Sequence, residues 1–159
     1  MGAESYYVKL GIVENEISKD RFLNELTKMN VKYSSNSKNE FVIEDFLIMT
    51  IHLNSEKIQE LSIEGCFSWF HECSLKIYEI MFIINNHIFS IVLKDHDGRY
   101  INILSEDDFL NFINSMYQEK YNAFLERYGT MNVKCLPREQ FYSHINGQRK
   151  KRFFKNLFK

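Results

Sequence analysis

Two thiols and one imidazole lie close together in the stretch from Cys66 to Cys73. The thiolate is the reactive form of cysteine, and a helix N-terminus or a neighbouring base lowers a thiol pKa. Cys66 directly precedes a predicted helix and His71 is near it in sequence, so a nucleophile at Cys66 or Cys73 is one hypothesis. No sequence signature of a cysteine enzyme surrounds either residue, which weighs against that hypothesis.

The same thiols and imidazole are also potential metal ligands, with further candidates at Cys135, His87 and His144. Zinc takes four ligands, which usually occur as pairs with CxxC or HxxxH spacing. The sequence contains no such pair, and His71 and Cys73 point in different directions on a helix because they are two residues apart. The pattern therefore favours small core cysteines, and we expect neither a metal nor a cofactor.

Asp95 and Asp97 have the spacing that opens a calcium-binding loop, but the other ligand positions and the closing glutamate are missing. Asp97 followed by Gly98 is a strong signal for a hairpin turn, which accounts for these residues. Glycine-rich phosphate-binding motifs and the common hydrolase motifs do not occur in the sequence. We therefore predict a protein that acts by binding rather than by catalysis.

The length and composition are typical of one folded domain. The chain has 159 residues, of which 45% are hydrophobic and 15% aromatic, enough for a packed core. No apolar run approaches the ~18 residues of a membrane span, and the N-terminus has no signal-peptide pattern. We expect a cytoplasmic protein whose three cysteines are reduced thiols.

The net charge of −1 conceals a strong asymmetry along the chain. Residues 134–159 carry eight basic side chains and one acidic side chain, a net charge of +7. The preceding 133 residues carry 12 basic and 20 acidic side chains, a net charge of −8. An acidic body with a basic end indicates an interaction segment. We predict a globular α+β domain over residues 1–136 and a basic extension, helical in part, over residues 137–159.

Hydrophobic periodicity and turn signals predict the order β-α-β-β, then β-α-β-β, then a long helix. Two such units would form an antiparallel or mixed sheet with helices on one face, followed by a basic C-terminal helix. The inward residues of the first strand are expected to include Tyr7, Leu10 and Ile12. The predicted strands cover residues 5–13, 31–35, 41–53 with a break at Asp45, 58–63, 87–93, 100–104 and 131–136. The predicted helices cover residues 18–29, 68–86 and 105–128.

The basic segment near the C-terminus combines positive charges with large apolar side chains. It could lie on an anionic membrane, or bind nucleic acid through phosphate contacts and stacking. Alternatively its phenylalanines could complete the core, because such side chains are poorly suited to a free end in water. The residues expected to contact a membrane or nucleic acid are Arg149, Lys150, Lys151, Arg152, Phe153, Phe154, Lys155 and Phe158.

In its size, its acidic body and its lack of catalytic motifs, the chain resembles small stand-alone bacterial immunity and antitoxin-type proteins. This resemblance rests on general character and not on a family motif. It implies a domain that binds one toxin and occludes its active site, with an acidic surface that suits a basic partner such as a nuclease. The expected contact residues are the acids Glu40, Glu44, Asp45, Glu56, Glu60, Asp95 and Asp97.

Overall fold

The computed structural model describes residues 5–13 and 17–130, which form seven strands and three helices. The predicted strand at 131–136 and the basic helix at 137–159 lie outside these residues. The strands are β1 Ser5–Ile12, β2 Tyr33–Ser35, β3 Glu40–Ile43, β4 Leu47–Asn54, β5 Lys57–Cys66, β6 Ile91–Lys94 and β7 Tyr100–Ile101. The helices are α1 Lys19–Lys28, α2 Phe70–His87 and α3 Glu106–Tyr128, with a 3-10 turn at Phe67–Trp69 before α2.

The strands form one sheet in the order β2-β3-β4-β5-β1-β6-β7, and every neighbouring pair is antiparallel. The predicted α+β class is confirmed, with the antiparallel arrangement. The strand predicted over residues 41–53 is a hairpin, because Glu44 and Asp45 turn the chain with φ values of 50° and 65°. The extra strand β4 therefore stands between the two predicted β-α-β-β units.

One face of the sheet carries the apolar core. Along β1, Tyr6 and Val8 are buried and Tyr7 is half-exposed on the other face, so the prediction that Tyr7 points inward is wrong. The buried side chains of β4 and β5 alternate in the same way, and those of all three helices join them in one core. Burying one large apolar side chain contributes about 1.5–3 kcal/mol, so this face dominates stability.

Capping residues determine where α1 and α3 begin. The Oγ of Ser18 accepts a hydrogen bond from the Arg21 N–H at 3.4 Å, and the Oγ of Ser105 accepts one from Asp108 N–H at 3.1 Å. Gly129 ends α3 with a φ of 72°, a conformation that favours glycine. These predicted helix limits are confirmed.

The end of α2 differs from the prediction. The helix continues to His87, and β6 begins only at Ile91, whereas the sequence predicts a strand from residue 87. The amide groups of Ile88 and Phe89 both donate to the carbonyl of Ile84 at 3.0 Å, and the Asn85 side chain accepts from Ile91 N–H at 3.1 Å. The contact between Asn85 and Ile91 joins the end of α2 to the start of β6, and the residues between them form the turn.

A buried polar contact fixes α2 against β1. The Tyr6 hydroxyl lies 2.7 Å from the Ser74 Oγ, which donates to the carbonyl of Phe70 at 2.7 Å. Gly65 on β5 allows this close packing, because a Cβ there would lie 2.9 Å from both the Cys73 Cβ and the Tyr6 ring. Tyr6 is thereby fixed on the core face of the sheet. The next residue of β1, and every second residue after it, therefore points to the opposite face.

Candidate protein-binding site on the open face of the sheet

The face of the sheet opposite the core carries a broad set of partly exposed side chains, which we call the open face. The strand register aligns them in rows across the sheet, for example Ile48, Glu64 and Tyr7. Antiparallel sheets commonly leave one face to solvent in this way. The open face comprises Tyr7, Lys9, Glu40, Val42, Ile48, Thr50, His52, Glu60, Ser62, Glu64, Val92 and Lys94.

Two lysines stand directly opposite each other on the open face. Lys9 on β1 and Lys94 on β6 are register partners, and like charges in this position destabilise a strand pair. The Lys94 Nζ forms an ion pair with Glu60 Oε2 at 2.8 Å, while the Lys9 Nζ lies 5.6 Å from the centre of the Tyr7 ring. The two ammonium groups therefore each have a favourable partner.

Gly11 makes the ion pair of Lys94 possible. Its register partners are Glu60 on β5 and Val92 on β6, so it lies between the residues that the ion pair spans. A Cβ at Gly11 would lie 2.7 Å from the Lys94 Cε, in the space that the lysine chain occupies. The glycine thus marks a close approach of a side chain to the strand.

Some polar side chains near the centre of the open face have hydrogen-bond partners among the described residues, and others do not. The His52 Nε2 lies 2.9 Å from the Ser62 Oγ, so this pair is hydrogen-bonded across two strands. Among residues 5–13 and 17–130, Glu64 has neither a hydrogen bond nor an ion pair through its side chain. Its carboxylate stands beside Tyr7 and Ile48 and is available to a partner.

Only two of the seven predicted acidic contact residues lie on the open face. They are Glu40, which accepts a hydrogen bond from the Asn36 side chain, and Glu60, which is paired with Lys94. The remaining predicted residues lie on turns, at different edges and ends of the sheet. The structure therefore does not bring the seven acids together.

Three of those turn residues lie at the two ends of β4. Glu44 accepts a hydrogen bond from the Lys32 N–H at 3.1 Å, next to Asp45 in the β3–β4 turn, and Glu56 lies in the turn at the other end of β4.

The β6–β7 turn is held by its own acids. The Asp95 carboxylate accepts from the N–H groups of Asp97 and Arg99 at 2.9 and 2.8 Å, and Asp97 pairs with the Arg99 side chain at 3.1 Å. These contacts indicate a structural role within the turn.

Tyr7, Thr50 and Glu64 lie together on the open face, which the sequence does not predict. The signal was present as alternation: Leu47, Met49 and Ile51 are buried along β4, and the residues between them face outward. Alternation alone does not show which strands are neighbours, so it could not place Glu64 beside Tyr7.

The cysteine and histidine cluster has little capacity for nucleophilic chemistry. Cys66 is disulfide-bonded, so the expectation that every thiol is reduced is wrong at this position. The other cysteine among residues 5–13 and 17–130, Cys73, is free. Burial raises the pKa of the Cys73 thiol to about 12, which keeps it protonated near neutral pH, and His71 is exposed on α2.

Three further findings concern other classes of function. Within residues 5–13 and 17–130, no three or more His, Cys, Asp or Glu side chains are grouped so that they could hold a metal ion. No helix in that part of the chain has the length and apolar character to cross a membrane. The residues predicted to contact nucleic acid or a membrane, Arg149, Lys150, Lys151, Arg152, Phe153, Phe154, Lys155 and Phe158, lie outside the described residues.

Comparisons of this chain with protein-family models, with curated proteins and with solved structures found no match.

Proposed function

We propose that the protein is a binding protein that covers the surface of a partner protein with its open face. The observation that carries this proposal is the width of that face. Its side chains come from five adjacent strands, β3, β4, β5, β1 and β6, which span about 19 Å at the usual strand spacing. A broad face of this kind suits a protein surface, whereas small molecules are usually bound in concave pockets.

Charge favours a basic partner. The described residues carry 12 basic and 17 acidic side chains, so the field around this part of the chain is negative. Such a field speeds the encounter with a positively charged protein and makes binding sensitive to salt. Within the open face, the carboxylate of Glu64 and the ring of Tyr7 are adjacent, and aromatic side chains contribute strongly to interfaces.

The specific function that we propose is that of an immunity protein, which neutralises a basic toxin by occluding its active site. Its support is the resemblance in size, acidic body and absence of catalytic motifs, together with a face suited to a protein partner. We propose the cytoplasm as the compartment in which it acts. The disulfide at Cys66 is unusual for that compartment, so fractionation of the native host is a direct check.

The proposal is tested by capturing partners of the full-length chain from its native host at low and at high salt. We expect one basic protein in stoichiometric amount, with less recovered at high salt because exposed charges are screened. The purified partner should lose its toxic activity when mixed with the chain, and the chain should cause no turnover. Recovery of no stoichiometric protein would contradict the proposal.

A further inference from the structure

The open face carries five charged side chains, and their signs are divided between its two halves. The acids Glu40, Glu60 and Glu64 lie on β3 and β5, whereas the bases Lys9 and Lys94 lie on β1 and β6. Since these strands are ordered β3-β4-β5-β1-β6 in the sheet, the division runs between β5 and β1. The open face therefore has an acidic half and a basic half, although the described residues as a whole are acidic.

Three of the five charges have an ion-pair or hydrogen-bond partner within the chain. The Lys94 Nζ and the Glu60 Oε2 form an ion pair at 2.8 Å, which bridges the two halves. Glu40 accepts a hydrogen bond from the side chain of Asn36. A protein that covers the open face therefore meets these three charges with part of their compensation already in place.

The other two charges, on Lys9 and Glu64, have no oppositely charged partner among residues 5–13 and 17–130. Both side chains are next to Tyr7, which is the register partner of Glu64 and whose ring centre lies 5.6 Å from the Lys9 Nζ. A ring contact attracts an ammonium group but does not neutralise its charge. One full positive charge and one full negative charge thus remain beside this tyrosine.

A protein that covers the open face has to compensate both charges. Removing a charge from water is costly unless an opposite charge and hydrogen bonds replace the water. Lys9 therefore requires an acid from the partner, and Glu64 requires a base. The two residues are diagonal neighbours on antiparallel strands, positions that are about 7–8 Å apart, so the compensating groups on the partner should have a similar separation.

We propose that the partner presents one acidic side chain to Lys9 and one basic side chain to Glu64. The partner is then basic overall but carries an acid at this point of the interface. These two contacts determine the orientation in which the partner docks, because a partner turned around would place like charges against each other. This inference rests on the proposed function, since it concerns the same face and the same basic partner.

Lys9→Gln gives the most direct test, because long-range attraction and the proposed contact predict opposite effects. The substitution makes the chain more negative, so long-range attraction alone would strengthen binding to a basic protein. The proposed contact predicts instead a Kd that is about tenfold higher, because the acid of the partner loses its counter-charge. Isothermal titration calorimetry measures the Kd of the full-length chain for the basic protein purified from the native host.

The matched control is Lys28→Gln, which makes the same charge change on α1. Lys28 lies in the helix layer, on the other side of the sheet, and its side chain is 64% exposed in an ion pair with Glu25. Exposed pairs of this kind contribute little, so the control should keep the Kd within about threefold of the unaltered chain.

Exchanging the two charges provides a second readout at constant net charge. Lys9→Glu combined with Glu64→Lys reverses both contacts and should raise the Kd at least about a hundredfold. Glu25→Lys combined with Lys28→Glu makes the equivalent exchange on α1 and should leave the Kd unchanged. Circular dichroism first shows which variants fold, and if the exchanged open-face variant does not, Glu64→Gln replaces it, with a Kd about tenfold higher.

The outcomes separate this inference from the proposed function. Tighter or unchanged binding by Lys9→Gln, or unchanged binding by the exchanged open-face variant, would overturn the inference and leave the proposed function standing. Equal losses from the open-face variants and their α1 controls would also overturn it. Recovery of no basic partner protein from the host would overturn both.

Discussion

The phenol of Tyr117 donates a 2.6 Å hydrogen bond to the main-chain carbonyl of Tyr7. β6 pairs only with Lys9–Ile12 of β1, so this side of β1 has no strand partner at Tyr7. Tyr117, on α3, supplies the donor that a neighbouring strand would otherwise supply. The helix layer thereby stabilises the strand that presents the Tyr7 side chain to the open face.

Tyr117→Phe removes that donor and keeps the ring. We expect the free energy of unfolding to fall by about 1–3 kcal/mol, because the carbonyl of Tyr7 loses its partner in a partly buried position. Urea unfolding followed by circular dichroism measures the change. Tyr100→Phe is the control, because that side chain is 72% exposed and should change stability by less than about 0.5 kcal/mol. Equal effects of the two substitutions would contradict the assigned role of Tyr117.

The stability of the protein should fall at alkaline pH. Burial raises the pKa of Cys73 from 9.0 to about 12 and that of Tyr117 from 10.0 to about 12, and it raises the pKa of Tyr6 well above 10.0. A raised pKa means that the folded state favours the protonated form of the group. The resulting stabilisation is complete below the pKa of the group in the unfolded chain and is lost as pH rises towards its pKa in the folded protein. Unfolding free energies should therefore decline from about pH 9 to pH 12.

Two substitutions test which side chains cause the loss of stability at alkaline pH. Cys73→Ala should remove the part of the decline that begins near pH 9, and Tyr117→Phe should reduce the part that begins near pH 10. If the unfolding free energy fell with pH at the same slope in both variants and in the unaltered protein, the assignment of the decline to Cys73 and Tyr117 would be contradicted.

The Cys73 thiol should be inert in the folded protein. It is fully buried and its pKa is raised to about 12, so little thiolate exists near neutral pH. A thiol reagent such as 5,5′-dithiobis(2-nitrobenzoic acid), added without reductant, should react with Cys73 only after denaturation. Rapid modification of Cys73 in the native protein, located by mass spectrometry, would instead revive the hypothesis of a cysteine nucleophile.

Gly65 and Gly11 should differ in their response to alanine. At Gly65 a Cβ would meet the Cys73 Cβ and the Tyr6 ring at 2.9 Å, and neither can move far inside the core. Gly65→Ala should therefore cost about 1–3 kcal/mol of stability. At Gly11 the nearest atom belongs to the flexible end of Lys94, so Gly11→Ala should cost less than about 1 kcal/mol. Thermal and urea unfolding of both variants measure the difference, and a larger loss at Gly11 would contradict the packing described.

The features predictable from the sequence are those set by local chemistry. Ser18, Ser105 and Gly129 limit their helices through contacts within a few residues, so the predicted helix limits agree with the structure. The sequence does not predict that Tyr6 is buried and Tyr7 is not. β1 offers one tyrosine to each face of the sheet, and contacts with distant residues decide which of the two is buried.

The open face depends on contacts between distant parts of the chain. Tyr7 and Glu64 are neighbours only because β1 lies between β5 and β6, and the order of the strands along the chain does not reveal this. Acidic charge in the sequence does not distinguish a turn residue such as Glu56 from Glu60 on the open face.

The most direct test of the central claim is partner capture with a paired substitution on the open face. Thr50→Arg with Glu64→Arg alters the centre of that face, and Asn114→Arg with Glu119→Arg makes the same charge change on exposed positions of α3. Both paired variants are first shown to unfold near the temperature of the unaltered chain.

Quantitative mass spectrometry then compares the amount of the stoichiometric partner retained by each full-length chain. The open-face variant should retain at least about tenfold less partner, a loss of about 1.4 kcal/mol of binding free energy, while the α3 variant should retain nearly as much as the unaltered chain. Equal retention by the open-face variant and the unaltered chain, or an equal loss from both variants, would contradict binding through the open face.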